Sequence, residues 1–244
     1  MNKKIYLMAF LCAVFLCLVS CELDDVKSQQ IMNGYFTITG SSPNYKLIAD
    51  NGTIVYPTSS SVSDITKGFG FGNHKRVYFN IYYNKENMTT ENETITIRNA
   101  ELQKVTYLIE MKTICEEEAT KAGIMQEDSI FPINTLGNCW LSNGYLTSLF
   151  AASYSIINDI IVESDANLCA TNISDNAVTF KMLYNRHTKK NDTNVKSNKE
   201  NYAYSFDISK LNIPGNDSVT VTFETLGAKT SSCKVARNVF KYAQ

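Results

Sequence analysis

The sequence predicts an all-β protein in which a small barrel is followed by a β-sandwich, with one short helix between them. Three observations lead to this prediction. Apolar residues recur at every second position in many short runs, which is the periodicity of strands with one buried face. Asn-Gly, Pro-Gly and single Gly residues separate these runs at turn spacing. A clear helix-start signal occurs in one segment near the middle of the chain.

Residues 1–20 predict a signal peptide. Lys3 and Lys4 precede an uncharged apolar run over 5–19, which is shorter than the roughly 20 residues of a membrane-spanning helix but typical of a secretory signal. The residues at 18–21, Leu-Val-Ser-Cys, resemble the bacterial lipobox, in which the cysteine thiol receives diacylglycerol. We therefore expect removal of 1–20 and lipidation of Cys21.

Acidic residues follow the expected lipidation site. The run Glu-Leu-Asp-Asp at 22–25 resembles the signal that directs lipoproteins to the cell surface in Bacteroidetes, and a solvated tether is the alternative interpretation. Lipoproteins carry more than one acyl chain, which anchors them far more stably than a single chain does. The sequence thus predicts a tether over 21–30 and an outer membrane lipoprotein, at the cell surface or on the periplasmic face, that contacts the membrane through its lipid.

The charge balance argues against a nucleic-acid partner. The formal net charge is −1, and loss of Lys3 and Lys4 with the signal peptide makes the remaining chain more negative. The segment 67–74, Lys-Gly-Phe-Gly-Phe-Gly-Asn-His, approaches an RNA-binding strand motif. Its three alternating glycines weaken any strand, so we interpret it as a loop before the strand that starts at Arg76.

Six short runs, interpreted as about five strands, predict a barrel over residues 31–112. Two apolar runs flank Asp-Asn-Gly at 50–52, and this turn sequence favours a β-hairpin because Asn and Gly tolerate positive φ angles. The serine-rich segment 59–63 is interpreted as a polar loop. The predicted strand segments are 31–40, 45–49, 54–57, 76–83, 94–97 and 105–109.

A helical linker is predicted over 113–130. Thr113 and Glu116 have the spacing of a capping box, in which each side chain satisfies a backbone N–H at the start of a helix. Glu117 and Glu118 would lie near the positive end of the helix dipole, and Gly123 would end the helix.

Residues 131–244 predict a β-sandwich. Short alternating runs return after the helix, with turn signals at 143–144 and 214–217 and a long polar loop over 185–201. The predicted strand segments are 139–141, 145–154, 177–184, 202–208, 219–226 and 234–242.

The chain resembles the NigD-like lipoproteins of Bacteroidetes along most of its length. The resemblance implies an OB-like barrel followed by a β-sandwich, and it brings no catalytic residue or ligand. The family takes its name from a bacteriocin-associated locus, which adds an immunity-like role as an alternative function. Besides the lipobox and its acidic tail, the resemblance rests on 45–53, 56–57, 75–81, 140–146, 206–211 and 217–221.

Four cysteines remain if Cys21 is acylated. An even number in an oxidising compartment permits two disulfides, with three possible pairings. A CxxC pair is absent from the sequence, which argues against zinc, and small buried apolar thiols are the alternative. The possible disulfide cysteines are Cys115, Cys139, Cys169 and Cys233.

Tyr78, Tyr82 and Tyr83 are the candidate ligand-face aromatics, because OB-like barrels often bind sugars on one face. The alternative is that these tyrosines only pack within the sheet. Acidic residues are scattered, and the histidines, His74 and His187, both lie in polar segments, so a three-histidine metal site is impossible.

We therefore expect a non-enzymatic envelope protein without metal or cofactor that binds a protein or glycan partner. This expectation rests on the predicted anchor, the two predicted β modules and the lack of a recognisable G-x-S-x-G or metal-ligand motif. Two alternatives remain open: a bacteriocin-associated, immunity-like lipoprotein and an envelope enzyme that acts on glycans, which would need a pair of carboxylates roughly 5–10 Å apart.

Overall fold

The computed structural model describes residues 29–126, 130–188, 194–215, 217–226 and 230–242. In these ranges the chain forms two β sheets with a few short helical segments, so the all-β prediction is confirmed. The predicted signal peptide, lipobox and Cys21 lie outside the described residues. The first strand begins at Gln29, so the last two residues of the predicted tether belong to the sheet.

The first sheet closes on itself as an OB-like barrel. The strand order is β3-β2-β1-β4-β6-β5, and β3 also pairs with β6 in parallel, so five strands form a ring with β5 outside it. The ring encloses an apolar core that includes Phe36, Leu47 and Phe79. The strands are β1 (Gln29–Ser41), β2 (Asn44–Ala49), β3 (Ile54–Pro57), β4 (Arg76–Asn84), β5 (Met88–Glu91) and β6 (Thr94–Tyr107).

The predicted hairpin forms, but the predicted polar loop at 59–63 is wrong. Strands β2 and β3 pair through the Asp-Asn-Gly turn, with Leu47 opposite Val55. The serine-rich segment forms helix α1 (Ser59–Thr66) because Thr58 caps it: the Thr58 Oγ1 accepts a hydrogen bond from the backbone N–H of Ser61 at 3.3 Å. The helix buries Val62 in the barrel core, which offsets the weak helix propensity of serine.

Strand β6 is continuous where the sequence predicted two strands, 94–97 and 105–109. It bends around the barrel, pairing first with β5 and β3 and then with β4. Its polar middle faces solvent in alternation with Ala100 and Leu102, which lie in the core. The period of two is interrupted by a register shift on each side of Ala100 and Leu102, and the strand continues through a polar segment.

The second sheet wraps around one large core, as predicted for a β-sandwich. Strand β7 is its corner: residues Ile109 to Lys112 pair with β14, and residues Thr113 to Cys115 pair with β12, both in parallel. The core contacts strands on both sides of this corner. The strands are β7 (Ile109–Cys115), β8 (Ile130–Phe131), β9 (Thr135–Ser142), β10 (Tyr145–Ile157), β11 (Ile160–Val162), β12 (Asp165–Ser174), β13 (Ala177–Asn185), β14 (Lys196–Asp207), β15 (Ser218–Thr225) and β16 (Ser231–Ala236).

The predicted helix forms, although its start and its place in the fold differ from the prediction. Helix α2 (Glu116–Lys121) is capped at Cys115, whose backbone N–H donates to Glu118 Oε2 at 3.1 Å. Thr113 cannot be the cap because it belongs to β7 and pairs with Leu168 of β12. Since β7 belongs to the second sheet, the chain changes sheets at Leu108, and α2 connects two strands of the second sheet. The division into domains at 112 and 130 stays a prediction.

Two further strand predictions differ from the structure. The predicted strand 234–242 is shorter, because β16 ends at Ala236 and a 3₁₀ turn (Arg237–Phe240) follows it. The predicted loop 185–201 is also shorter, because β14 begins at Lys196 and pairs with β10 over its whole length. The part of that loop at 189–193 lies outside the described residues.

Candidate ligand platform at the junction of the two sheets

Arg76 lies fully buried where the barrel meets the second sheet. Arg76 is the first residue of β4, and the exposed fraction of its side chain is 0 %. Its guanidinium lies between the two sheets. Its Nε donates to Ser205 Oγ at 3.2 Å, and its Nη2 donates to Thr147 Oγ1 at 2.9 Å. A single side chain of the barrel thus binds two strands of the second sheet. The Tyr145 ring lies 5.2 Å from the same guanidinium and adds a cation–π contact.

Asp50 neutralises this buried charge. Its two carboxylate oxygens accept hydrogen bonds from Nη1 and Nη2 of Arg76, each at 2.7 Å, and Oδ2 also accepts one from Trp140 Nε1 at 2.6 Å. Such a two-pronged pair is stronger than a single charged contact and fixes the angle between its partners. The hairpin turn after β2 is therefore tied both to β4 and to β9 of the second sheet.

Beyond the contact of Arg76 with Asp50, which we call the joint, the same face of β1 and β4 continues outward as a partly exposed surface. Side chains that pair across two antiparallel strands at alternate positions lie on one face. Beyond Thr37 and Arg76, this face presents the cross-strand pairs Tyr35–Tyr78, Asn33–Asn80 and Ile31–Tyr82. We call the surface formed by Trp140 and these six side chains the junction platform.

Aromatic contacts run from the joint onto the platform. The Trp140 and Tyr35 ring centroids lie 4.9 Å apart, and those of Tyr35 and Tyr78 lie 5.0 Å apart in an edge-on arrangement. The burial of Tyr35 raises its pKa, and Tyr78 and Asp50 raise it further, so this phenol remains protonated at neutral pH. At the end of the platform beside Trp140, which we call its inner end, a cavity of about 330 Å³ opens between Tyr35, Trp140 and the amides of Asn33 and Asn51. The end at Ile31 and Tyr82 is the outer end.

The structure brings two of the three predicted ligand-face tyrosines together. Tyr78 and Tyr82 lie on the junction platform, two pairs apart along β4. Tyr83 does not join them: it lies on the opposite face of β4 and packs against the barrel core. The prediction of one surface with all three tyrosines is therefore wrong, because neighbouring residues of a strand point to opposite faces.

Sequence reasoning missed the residues that complete the platform. Tyr35 and Trp140 are far apart in the sequence and meet only because β9 lies against the barrel. The sequence did contain an indication for Arg76. It is the first residue of a mostly apolar predicted strand, and a charged side chain at a buried position needs a partner. Nothing in the sequence identified Asp50 as that partner, because it lies in a turn where aspartate is common.

The four candidate disulfide cysteines all carry free thiols in the structure. Cys169 is fully buried beside Ala119 and Leu183, and its burial raises the pKa of the thiol to about 11. Cys115 and Cys233 are exposed, and Cys139 is partly buried against the main core. The two disulfides that the sequence permits are therefore not formed in this structure.

The platform offers recognition chemistry rather than reactive groups. Each oxygen of the Asp50 carboxylate already accepts at least one charged or indole N–H donor, so it is poorly placed to act as a base or nucleophile. Within the described ranges, no cluster of three or more potential metal-ligating His, Cys, Asp or Glu side chains occurs. No helix in the described part of the chain is both long and apolar enough to cross a membrane.

No protein-family model matches the sequence, and no curated protein matches it. The fold, however, is similar to several solved structures. A toxin-related protein from Parabacteroides distasonis has 16 % identity and a TM-score of 0.53, covering 86 % of this chain and 96 % of its own. A candidate lipoprotein from Bacteroides fragilis has 10 % identity and a TM-score of 0.51, covering 88 % and 100 %.

A third solved structure bears on the resemblance inferred from the sequence. It is a NigD-like immunity protein from Bacteroides caccae with 12 % identity and a TM-score of 0.50, covering 86 % of this chain and 94 % of its own. At such identities the similarity concerns the fold alone. The chain therefore shares, over most of its length, the all-β fold of a NigD-like protein and of other proteins from Bacteroides and Parabacteroides.

Proposed function

We propose that this protein is a lipid-anchored envelope lipoprotein that binds a neutral glycan on the junction platform without altering it chemically. The observation that carries the proposal is the row of aromatic and amide side chains along one partly exposed sheet face. The row begins at Trp140 and Tyr35 and continues through Asn33 and Asn80 to Tyr82.

The chemistry of the row favours sugars over other ligands. Aromatic rings pack against the C–H faces of pyranose rings, while amides both donate to and accept from hydroxyl groups. The charge at the inner end of the platform, Asp50, is already paired with Arg76, so the platform offers an ionic ligand no free counter-charge there. Ile31, with an exposed fraction of 63 %, adds an apolar contact at the outer end.

The rigidity of the joint also supports a binding role. The buried pair of Arg76 and Asp50 and the indole hydrogen bond of Trp140 hold the inner aromatic residues in one arrangement. A preorganised surface loses little conformational entropy when a ligand binds, which improves affinity. An enzyme that hydrolyses glycosides would need two available carboxylates, whereas Asp50 already serves the joint.

The expected lipid anchor would lie at the outer end of the platform. Gln29, the first residue of β1, pairs with Asn84 just beyond Ile31 and Tyr82. An extended tether from Cys21 to Gln29 spans roughly 28 Å at about 3.5 Å per residue. The proposed ligand would thus be a glycan close to the membrane surface that carries the anchor.

The test uses the mature chain with Cys21→Ala, which removes the acylation site but keeps every described residue. A panel of neutral oligosaccharides is screened on an array, and hits are measured by calorimetry. We expect a hit whose affinity falls about five- to twelvefold in Tyr82→Ala, since stacking on one aromatic ring contributes on the order of 1–1.5 kcal/mol.

Tyr154→Ala is the matched control, because Tyr154 is a partly exposed tyrosine on β10, outside the platform. The control should bind like the parent chain. Retention of no neutral oligosaccharide, or equal loss of affinity in both variants, would refute glycan binding on the platform.

An immunity-like function is the second candidate. Its support is the fold shared with the NigD-like immunity protein from Bacteroides caccae. Deletion of the gene should then increase sensitivity to a bacteriocin of a competing strain, and the full-length chain should restore resistance. Unchanged sensitivity across a panel of bacteriocin producers would eliminate this candidate.

A further inference from the structure

Within the described residues the second sheet is rolled up but not closed, and two strand edges meet along its seam. On one side β9 lies beside β10, and on the other β16 ends the strand order. The two sides adjoin, because the backbone N–H of Gly144, just after β9, donates to the carbonyl of Val239, just after β16, at 2.8 Å. Leu141 of β9 and Val235 of β16 also pack against the same core.

Each side of this seam carries one cysteine on the core side of its strand, and the one on the edge strand β16 remains exposed. Cys139 of β9 packs against the core cluster. Cys233 of β16 is directly opposite Val221, which has an exposed fraction of 2 %, and it shares its face of the strand with Val235. Burial raises the pKa of the Cys139 thiol to about 12, and the nearby Cys233 contributes to the increase.

Three other pairings of the four cysteines are opposed by the sheet geometry. Cys115 is directly opposite Ala170, so the neighbouring Cys169 points to the other face of the sheet, into a separate cluster. Cys139 packs on the core side of the sheet and is therefore separated from Cys169 as well. Cys115 and Cys233 have three strands between them, which is roughly 19 Å at about 4.8 Å per strand and far beyond disulfide reach.

We propose that Cys139 and Cys233 form a disulfide that staples the open seam of the second sheet. The two thiols lose two protons and two electrons, and a disulfide compound accepts them and is reduced to two thiols. The exposed Cys233 reacts first: its thiolate attacks the oxidant, forms a mixed disulfide and releases one thiol. The Cys139 thiolate then displaces the second thiol. In the cell, the oxidant would come from the envelope, so that part of the proposal rests on the proposed function. The formation of the disulfide itself does not.

The test is performed on the purified mature chain with Cys21→Ala, so it is independent of glycan binding and of location. The protein is incubated with oxidised glutathione, free thiols are alkylated, and peptides are mapped by mass spectrometry without reduction. We expect a cross-linked peptide that joins Cys139 to Cys233, with Cys115 and Cys169 alkylated. A different cross-link, or alkylation of all four cysteines after prolonged oxidation, would overturn the proposal.

Variants test the order of the two steps and the effect on the fold. In Cys139→Ser, glutathione should remain attached to Cys233, because the second thiol is missing. Oxidation should raise the urea midpoint of the parent chain and of Cys115→Ser, but not that of Cys233→Ser, since a cross-link constrains the unfolded chain. An equal rise in Cys233→Ser would show that the cross-link lies elsewhere. Cys233 is exposed, so this variant is expected to fold.

Discussion

The carboxylate of Asp50 binds the guanidinium of Arg76 through two hydrogen bonds of 2.7 Å each, and Arg76 has no exposed side-chain surface. Breaking a buried pair by removing one partner leaves an uncompensated charge in a dry environment. We therefore expect Asp50→Asn to lower the free energy of unfolding by about 3–5 kcal/mol. Urea unfolding followed by circular dichroism measures this change.

The exposed pair of Lys196 and Asp159 provides the control, because it has the same charges in solvent. Asp159→Asn should change the free energy of unfolding by no more than about 0.5 kcal/mol. If both substitutions have equally small effects, the Arg76–Asp50 pair does not hold the two sheets together.

Substitutions of Tyr82 and Tyr83, which are neighbours on β4, should have different effects on stability and on ligand affinity. Tyr83 packs against the barrel core, so Tyr83→Ala should cost about 2–3 kcal/mol of unfolding free energy, less than a fully buried aromatic residue. Tyr82 faces outward, so Tyr82→Ala should cost less than about 1 kcal/mol and lower glycan affinity instead. Urea unfolding and calorimetry on both variants measure the two effects, and the reverse pattern would place the platform on the wrong face.

The chain contains one tryptophan, and it lies at the inner end of the platform. Its emission should therefore respond to a bound neutral oligosaccharide, because the ligand displaces water beside the indole. We expect a blue shift that saturates with the same dissociation constant as calorimetry gives. An emission spectrum that stays unchanged while calorimetry records binding would place the ligand away from Trp140.

The carboxyl group of Asp207 gives a prediction on pH. Burial alone would raise its pKa, but hydrogen bonds from Ser209 and from the Tyr242 hydroxyl at 2.6 Å outweigh burial and lower the pKa below 3.8. A lowered folded-state pKa stabilises the fold above the unfolded-state pKa, and this stability is lost as the pH falls through the folded-state value.

Tyr242→Phe should therefore destabilise the protein at pH 7 by up to about 1 kcal/mol and have a smaller effect as the pH falls below about 3.8. Urea unfolding at pH 7 and at a pH below the folded-state pKa of Asp207 measures the difference, with Tyr154→Phe as the control. A cost that does not change with pH would mean that the hydroxyl acts through packing alone.

Helix α1 depends on its cap. Thr58→Ala removes the hydroxyl that accepts the Ser61 N–H, and it should cost about 1 kcal/mol of unfolding free energy. Thr58→Ser keeps the hydroxyl and should retain most of this stability. Urea unfolding compares the two, and equal losses would indicate that the lost methyl group, and not the cap, is responsible.

The barrel was predictable from the sequence because its signals are local. The Asp-Asn-Gly turn and the alternating run from Val77 to Tyr83 each contain enough information within a few residues. Helix α1 was not predicted because serine is common in both loops and caps. The contact that stabilises the helix, Val62 in the barrel core, is tertiary and is not visible in the local sequence. Strand β12 was not predicted because its buried side chains alternate with asparagine and aspartate, which usually mark turns.

The platform could be predicted only in part. Tyr78 and Tyr82 are visible as alternate aromatic residues on one strand, but strand periodicity should also have excluded Tyr83. Tyr35 and Trp140 join them through a contact between residues more than a hundred positions apart, for which a single sequence contains no local pattern. The joint at Arg76 has the same character, since its partners come from β1, the β2–β3 turn, β10 and β14.

The parallel pairing of β7 imposes an order on the folding of the chain. The barrel is complete once Tyr107 is available, because all of its strands end at or before that residue. Strand β7 then lacks its neighbours until β12 and β14 have been synthesised, the latter some ninety residues later along the chain. A chain that emerges from its N-terminus would therefore carry one closed barrel followed by a strand with two unpaired edges, which is the stage at which mispairing with another strand is easiest.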